Sequence, residues 1–581
     1  MQVRSGLGGK ARSWVGRYRV ELGLAALALL VGAVVFGLMR STWPTPLPAR
    51  PERRVLQTSD TLLSLVSALC TFFLAWCFTR GAGRVDPVSV RHRWRSFLGL
   101  WALFAAVFLL WWAGEWPGHY YSDALQSLSV SSQYQVEPWL STFWGIWAHG
   151  IHRATGQFSS LSLFNLFLFS ALLADFFSLL LSQGLSRRVG GLFVALVVTS
   201  IPLGLLAIYL SHDIINGLLR LSIALILMRA MVRRALTGAS GLTPVTLPAL
   251  VLLTATATFL RGDSMALVLY VPAVLVASRQ VRVGVAVALL VGTLGLMQVF
   301  RRAVEPRIAP PSPERGNRYA LSLILNPLGY LVTNRYYSPD PEGDQAAMDA
   351  VIAYSCLRDR YKAEESPCYW DSLHPPISNE KMAELKKRFL RMVRDNPALM
   401  LSNRVYTFAG TLGLSPKTPP PFLYMREKWK AEEQYPPHGV RLLAELNLDP
   451  ARAPQSLARI THWLRDESWP ARGGQSLFFP WNGVPALLLA LWLVSRWRTL
   501  PASAVTAGAI LAPAFLVFVA GPASHPSYVA DLWMFGYLAV PLAWFEARAL
   551  RARALQPPSA GGEGRDAGAL DVPPAHLRHN G

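Results

Sequence analysis

Cysteine is scarce in this sequence, four residues in 581, and that excludes a fold stapled by disulfides. Cys70 and Cys77 lie inside an apolar run and read as inert packed thiols. Charge is sparse too, at 16% of residues, and acidic charge is sparser, with 35 Asp and Glu against 56 Lys and Arg. No interleaved basic and aromatic pattern accompanies the formal excess of +21. Nucleic acid is therefore set aside as a partner, and the excess is read as loop arginines that fix topology and meet anionic membrane lipids. There is no obvious small-residue cleavage site after the basic N-terminus, and no internal repeat of the kind transporters carry.

Apolar residues are what the chain has in abundance. They make up 52% of it, with 20 Trp and a mean hydropathy of +0.29. That composition predicts an all-α polytopic membrane protein. Apolar runs predict spans at Leu22–Met39, Thr61–Phe78, Phe97–Ala113, Leu161–Leu181, Leu192–Leu210, Ile214–Met231, Val245–Leu260, Ala266–Ala277, Val283–Phe300, Phe478–Val494, Ala504–Val519 and Val529–Phe545. The total is about 12, with both termini in the cytoplasm.

Arginine placement sets the parity. Arg80 to Arg95, Arg187-Arg188, Arg229 to Arg234, Arg279 with Arg282, and Arg496 with Arg498 all fall inside if the Trp-rich segment 138–153 does not cross. That segment is short and is expected to be a juxtamembrane or re-entrant helix. One group resists the scheme: Arg40, Arg50, Arg53 and Arg54 come out on the outer side. The layout divides the chain into an N-terminal basic segment with two added spans (1–95), a membrane core (96–300) with a first outer loop (114–158), and a large outer loop (301–475). Closing spans (476–547) and a polar Gly/Pro-rich cytoplasmic tail (548–581) complete it. Within the large loop, Glu380–Val393 reads as a helix with a Lys/Arg face. If that loop meets oxidising conditions, the spacing of Cys356 and Cys368 suits a local disulfide, the alternative being two free thiols.

The stretch with chemical promise begins at Glu115. Pro117-Gly118 stops the preceding helix, and a new one is expected at Asp123 with Gln126 three residues on. Asp123 is then either a helix N-cap in capping-box spacing or a base held at the lipid–water boundary. The same layout brings Ser211-His212-Asp213 and Arg261-Gly262-Asp263 to that side of the membrane. Asp213 reads as a cap or as an acceptor-orienting group, and Arg261 as a phosphate ligand or as the partner of Asp263.

With these residues in place the sequence resembles the GT-C superfamily of polytopic glycosyltransferases over about residues 96–545. Trp116-Pro117-Gly118 with Tyr121-Ser122-Asp123 and Gln126 is similar to the first-loop acidic pattern of its bacterial members. His212-Asp213 resembles their second acidic motif, and Leu260-Arg261-Gly262-Asp263 an Arg-containing helix end. Asp395-Asn396-Pro397 with Asn403-Arg404-Val405-Tyr406 resembles the segment that returns the big loop to the membrane. The sequence departs from the pattern in two places: Asp123 has no acidic neighbour, and Glu137-Pro138 stands where many members have His-Pro.

The resemblance implies a GT-C-like bundle in a bacterial inner membrane. It also implies a hexosyl- or pentosyltransferase that takes sugar from a polyprenyl-phosphate donor to a lipid, glycan or protein acceptor outside the cytoplasm, with inversion. Asp123 would be the base and Asp213 the second acid. Gln126, His212, Arg261, Asp263 and Arg404 would bind substrate, the arginines meeting the departing phosphate. Arg404 reads equally as a solvated loop arginine. A divalent cation shared by Asp123 and Asp213 is compatible with the resemblance, but two well-separated acids fall short of a ligand set, and no metal ligand is assigned. The competing classes are a lipid or polysaccharide flippase, expected to carry buried mid-span charge and broken helices, and an O-antigen ligase or polymerase.

Overall fold

A computed structural model describes residues 87–116, 118–120, 141–155, 159–237, 240–308, 313–361, 372–414, 454–468 and 482–554. The expected first two spans, Asp123, Gln126, Cys368 and the tail beyond 554 lie outside the described residues.

Within them the chain is all-α apart from one short strand pair. The bundle opens with α1 (Pro87–Gly114), α2 (Thr142–Thr155) and α3 (Ser160–Ser182). It continues with α4 (Arg187–Val198), α5 (Ile201–Ile208), α6 (His212–Thr237), α7 (Thr246–Leu260), α8 (Met265–Ala277) and α9 (Val283–Val299). The large loop holds α10 (Glu305–Ile308), α11 (Pro313–Thr333), α12 (Pro341–Asp349), α13 (Tyr354–Asp359), α14 (Asn379–Asp395), α15 (Pro397–Thr411) and α16 (Gln455–Ser468). Then α17 (Val484–Ser495), α18 (Pro501–Ala520) and α19 (Ala530–Ala554) close the bundle.

Among the described residues, six helical stretches are long and apolar enough to cross a membrane: Arg93–Gly114, Ser160–Ser182, His212–Ala235, Val283–Arg307, Pro501–Ala520 and Pro526–Arg548. The count becomes seven if the bent pair α4 and α5 is one span, and three shorter apolar helices lie at 246–260, 262–277 and 484–495. The helices of the bundle carry exposed apolar side chains where packing leaves them uncovered. On α9, Val283, Val287, Val291 and Leu294 are exposed, whereas Phe104 and Phe108 of α1 are buried, Phe108 stacking on Phe169 of α3 at 5.4 Å.

The expected single span over 192–210 is broken, bent by 61° between α4 and α5. The cause is local. Ser200 caps α5 by accepting from Leu203 N (3.3 Å), and Pro202 in the first turn has no N–H to continue the helix from α4. The pair still runs from one end of the bundle to the other. It starts after α3, and it finishes at β2 (Tyr209–Leu210), which pairs in parallel with β1 (His119–Tyr120) just past α1.

The Trp-rich segment forms α2, with Trp144 and Trp147 buried with Leu161, Leu210, Ile215 and Leu260 under the ends of α3, α6 and α7. Two other expectations change in detail. The tail expected from Arg548 is helical to Ala554. The helix expected to end at Phe300 continues through 308. The expected basic helix at 380–393 is α14, and its buried face of Met382, Leu385, Phe389 and Met392 joins Leu321, Leu325 and Leu357 in a core separate from that of the bundle. Cys356 of that core is a disulfide cysteine.

Candidate functional site

The bundle has two ends, and polar residues mark both. At one end α1 stops at Gly114, and Gly118 lets the chain turn onto the head of α3. The φ of Gly118 is +105°, and a Cβ there would sit 2.9 Å from the Ile208 carbonyl and 3.0 Å from Ser162 Oγ. Only glycine accepts that conformation and that approach. His119 then pairs with Tyr209, and Tyr120 with Leu210.

Two segments running in the same direction therefore enter the site in register. Asp213 lies three residues beyond Leu210, and Asp123 three residues beyond Tyr120. Asp123 itself is outside the described residues. The segments that precede those two acids in the sequence are thus paired in the backbone.

Asp213 starts α6, and its backbone N–H donates to Ser211 Oγ at 3.1 Å. Its carboxylate is fully engaged. Arg261 donates to Oδ1, Ser527 Oγ donates to Oδ2 at 2.6 Å, and His212 Nε2 lies 3.3 Å from Oδ1. Asp213 thus holds Arg261 through one carboxylate oxygen and Ser527 through the other. Arg261 also donates through Nε to Asp263 Oδ2 at 3.1 Å and lies 4.1 Å over the ring of Tyr528. Of the two readings of Arg261, the pairing with Asp263 is present, and Asp213 shares it.

Behind this layer is a second arginine. Arg220, 1% exposed, donates to Asp263, to Ser264 Oγ (2.9 Å) and to the Tyr528 carbonyl (3.3 Å). It also lies 3.7 Å from Asp531. The Asn216 amide turns its oxygen to Arg220 and its NH2 to the Ala257 carbonyl at 3.0 Å. Asp213, Asn216 and Arg220 are spaced i, i+3, i+7, one stripe of α6. That periodicity was the signal by which Arg220 was findable. His525, Ser527, Tyr528 and Asp531 had no such signal, because they reach the site from the far end of the chain.

His525 Nδ1 lies 2.5 Å from Ser527 Oγ. Since Ser527 spends its only proton on Asp213, Nδ1 carries the hydrogen and donates it to Ser527. Burial pushes His525 down to about 4, against the raising influence of Asp213, so the ring is neutral near neutral pH.

Arg404 is elsewhere. It donates to Asn403 Oδ1 and to the Gly521 carbonyl (3.0 Å), with the Val519 carbonyl at 3.5 Å. Its charge sits on the carbonyl end of α18, where a cation opposes the helix dipole. Burial lowers it to about 10, and it stays charged at neutral pH. Glu115, at the end of α1, accepts from Arg465 of α16 at 2.7 Å, and His462 stands 3.5 Å away. Among the described residues no group of three or more His, Cys, Asp or Glu side chains is arranged to hold a metal ion. Searches for related proteins find no matching family model, curated protein or solved structure.

Proposed function

We propose that this chain is a polytopic membrane glycosyltransferase of about a dozen spans, with both termini in the cytoplasm of a bacterial inner membrane. It moves a hexosyl or pentosyl group from a polyprenyl-phosphate donor to a hydroxyl of an extracytoplasmic lipid, glycan or protein. The observation that supports this reading is the parallel pairing of residues 119–120 with 209–210. It ties the start of the first loop, residues 119–120, to the end of the bundle that holds Asp213, Arg261 and Asp263, and Asp123, which follows in the sequence, is proposed as the base.

In the reaction Asp123 takes the proton of the acceptor hydroxyl as its oxygen attacks the anomeric carbon. The bond from that carbon to the phosphate oxygen breaks, the electron pair leaves with polyprenyl phosphate, and the configuration inverts. Asp213 and Asp263 hold Arg261 in place at the edge of the site. The test is Asp123→Asn, which keeps capping ability but cannot accept the proton. Loss of a general base costs about a hundred- to ten-thousand-fold in rate. Sugar transfer in membranes should fall by that range while Ser122→Ala retains most activity. An abundant Asp123→Asn protein with near wild-type transfer ends the reading.

A lipid or polysaccharide flippase is the second reading, favoured by the break between α4 and α5 and by Arg220 buried two turns into α6. Proteoliposomes separate the two: a flippase moves the lipid-linked sugar across without breaking its anomeric bond.

A further inference from the structure

One helix of the large loop reaches the site through a chain of hydrogen bonds. Helix α15 carries a buried polar face of Asn403, Arg404, Thr407 and Thr411. On the loop side, Asn326 Oδ1 accepts from Asn403 Nδ2 (2.9 Å), Thr407 Oγ1 (3.3 Å) and Tyr361 Oη (3.3 Å). Asn403 Oδ1 in turn accepts from Arg404. On the bundle side, Arg404 holds the Gly521 and Val519 carbonyls, and Ser524 Oγ donates to the Thr407 carbonyl at 2.9 Å. The next residue is His525, followed by Ser527, whose hydroxyl is on Asp213.

The 519–528 turn is therefore gripped on both sides. Its first half is fixed by α15, and its second half fixes the carboxylate that orients Arg261. The segment is a helix end followed by irregular chain, which by itself has little to hold it. A charged hydrogen bond to two carbonyls at a helix end supplies what the segment lacks.

We propose that Arg404 is a positioning residue: by clamping the 519–528 turn from the large loop it holds Ser527 on Asp213, and it does not itself contact the sugar donor. The activity part of this rests on the transferase reading; the structural part does not. Arg404 thus makes the folded state of the large loop a condition for an ordered site, and an acceptor or partner that shifts α15 would alter transfer without touching Asp213.

The experiment uses the full-length protein in lipid nanodiscs, with hydrogen–deuterium exchange and transfer kinetics read side by side. In Arg404→Ala, exchange of peptides over 519–530 should quicken by about tenfold or more, the worth of a charged hydrogen bond. Peptides over 313–361 should be unchanged. Transfer kcat should fall with the donor KM within about twofold of wild type, because an interaction made only through the site's geometry leaves ground-state binding alone. Arg404→Lys, which keeps one charged donor, should restore part of both. Ser524→Ala removes only the bond to Thr407 and should loosen the same peptides by a few-fold, and it decides the matter if Arg404→Ala does not fold. Unchanged exchange at 519–530 in a folded Arg404→Ala or Ser524→Ala protein overturns the proposal. So does a raised donor KM with exchange intact, the mark of a phosphate ligand. If the wild-type protein transfers no sugar, the transferase reading falls and the exchange data still decide the clamp.

Discussion

The two ends of the bundle solve the same problem, buried charge, in opposite proportions. At the end reached by α3 and α6 after they cross, one carboxylate, Asp175, serves two arginines, Arg93 at 3.1 Å and Arg229. Nearby Glu546 caps α18 by accepting from the N–H groups of Ala502 (2.7 Å) and Ser503 (2.9 Å). At the other end, three carboxylates, Asp213, Asp263 and Asp531, surround two arginines, Arg261 and Arg220. The first arrangement leaves positive charge where the flanking loops are also arginine-rich, which agrees with a cytoplasmic face. The second leaves an acidic surplus, linked to histidine and serine hydroxyls. Charge at the first end joins one helix to another; charge at the second orients other side chains.

The sharpest way to test that contrast is to remove the central acid at each end. Breaking a buried pair by deleting one partner costs about 3–5 kcal/mol, because the other charge is left uncompensated. Asp213→Ala and Asp175→Ala should therefore lower thermal stability by comparable amounts in nanodiscs. Only the first should abolish transfer once both are returned to a folded population at low temperature. If Asp175→Ala is equally inactive when folded, the two ends are not functionally distinct.

A smaller effect is expected from the register device. Gly118→Ala forces a non-glycine residue to a φ of +105° and against the Ile208 carbonyl. Strain of this kind is on the order of 1–3 kcal/mol. A cysteine pair replacing Tyr120 and Leu210, directly opposite in the strand pair, reports the register by cross-linking. The Gly118→Ala background should reduce the cross-link yield and transfer together. A full cross-link with lost transfer would detach Gly118 from the register argument.

This comparison also marks what the sequence made legible. The parity of the arginine clusters predicts one side for residues 114–158, 211–213 and 261–263 without tertiary knowledge, and the structure brings 119–120 beside 209–210 and Arg261 beside Asp213 and Asp263. The break at Ser200 was readable in Ser200-Ile201-Pro202 but was masked by the continuous apolar run around it. Burial of Trp144 and Trp147 was not readable, since indole suits a lipid interface and a protein core equally well. Ser527 and Tyr528 were invisible because three hundred residues separate them from Asp213, and no local pattern encodes which helix end they meet. Arg404 was noticed for its charge, yet its partners are backbone carbonyls, which carry no sequence signature.

The smallest expected effect tests the acidic end through pH. His525 faces Asp213, Arg261, His212, Ser527 and Tyr528, and its neutral ring donates to Ser527. Burial brings its folded-state pKa to about 4, against an ordinary 6.5, so as pH falls the unfolded chain takes up the proton first. Stability from this group is therefore complete above about pH 6.5 and drains away toward about pH 4. At one unit below the unfolded value the loss is about 1 kcal/mol. Exchange of the 519–530 peptides should quicken several-fold between pH 7.5 and 5.5 after correction for intrinsic rates. His212 and the acids of the cluster are common to any variant, so the readout is the difference between wild type and His525→Gln. That variant keeps a side-chain donor but cannot take up the proton, and its pH response should be flatter. At the other end Asp175 pairs with two arginines, Arg93 and Arg229, and peptides over 170–182 should show no matching window. An identical pH response in His525→Gln would mean that another group of the acidic end titrates there.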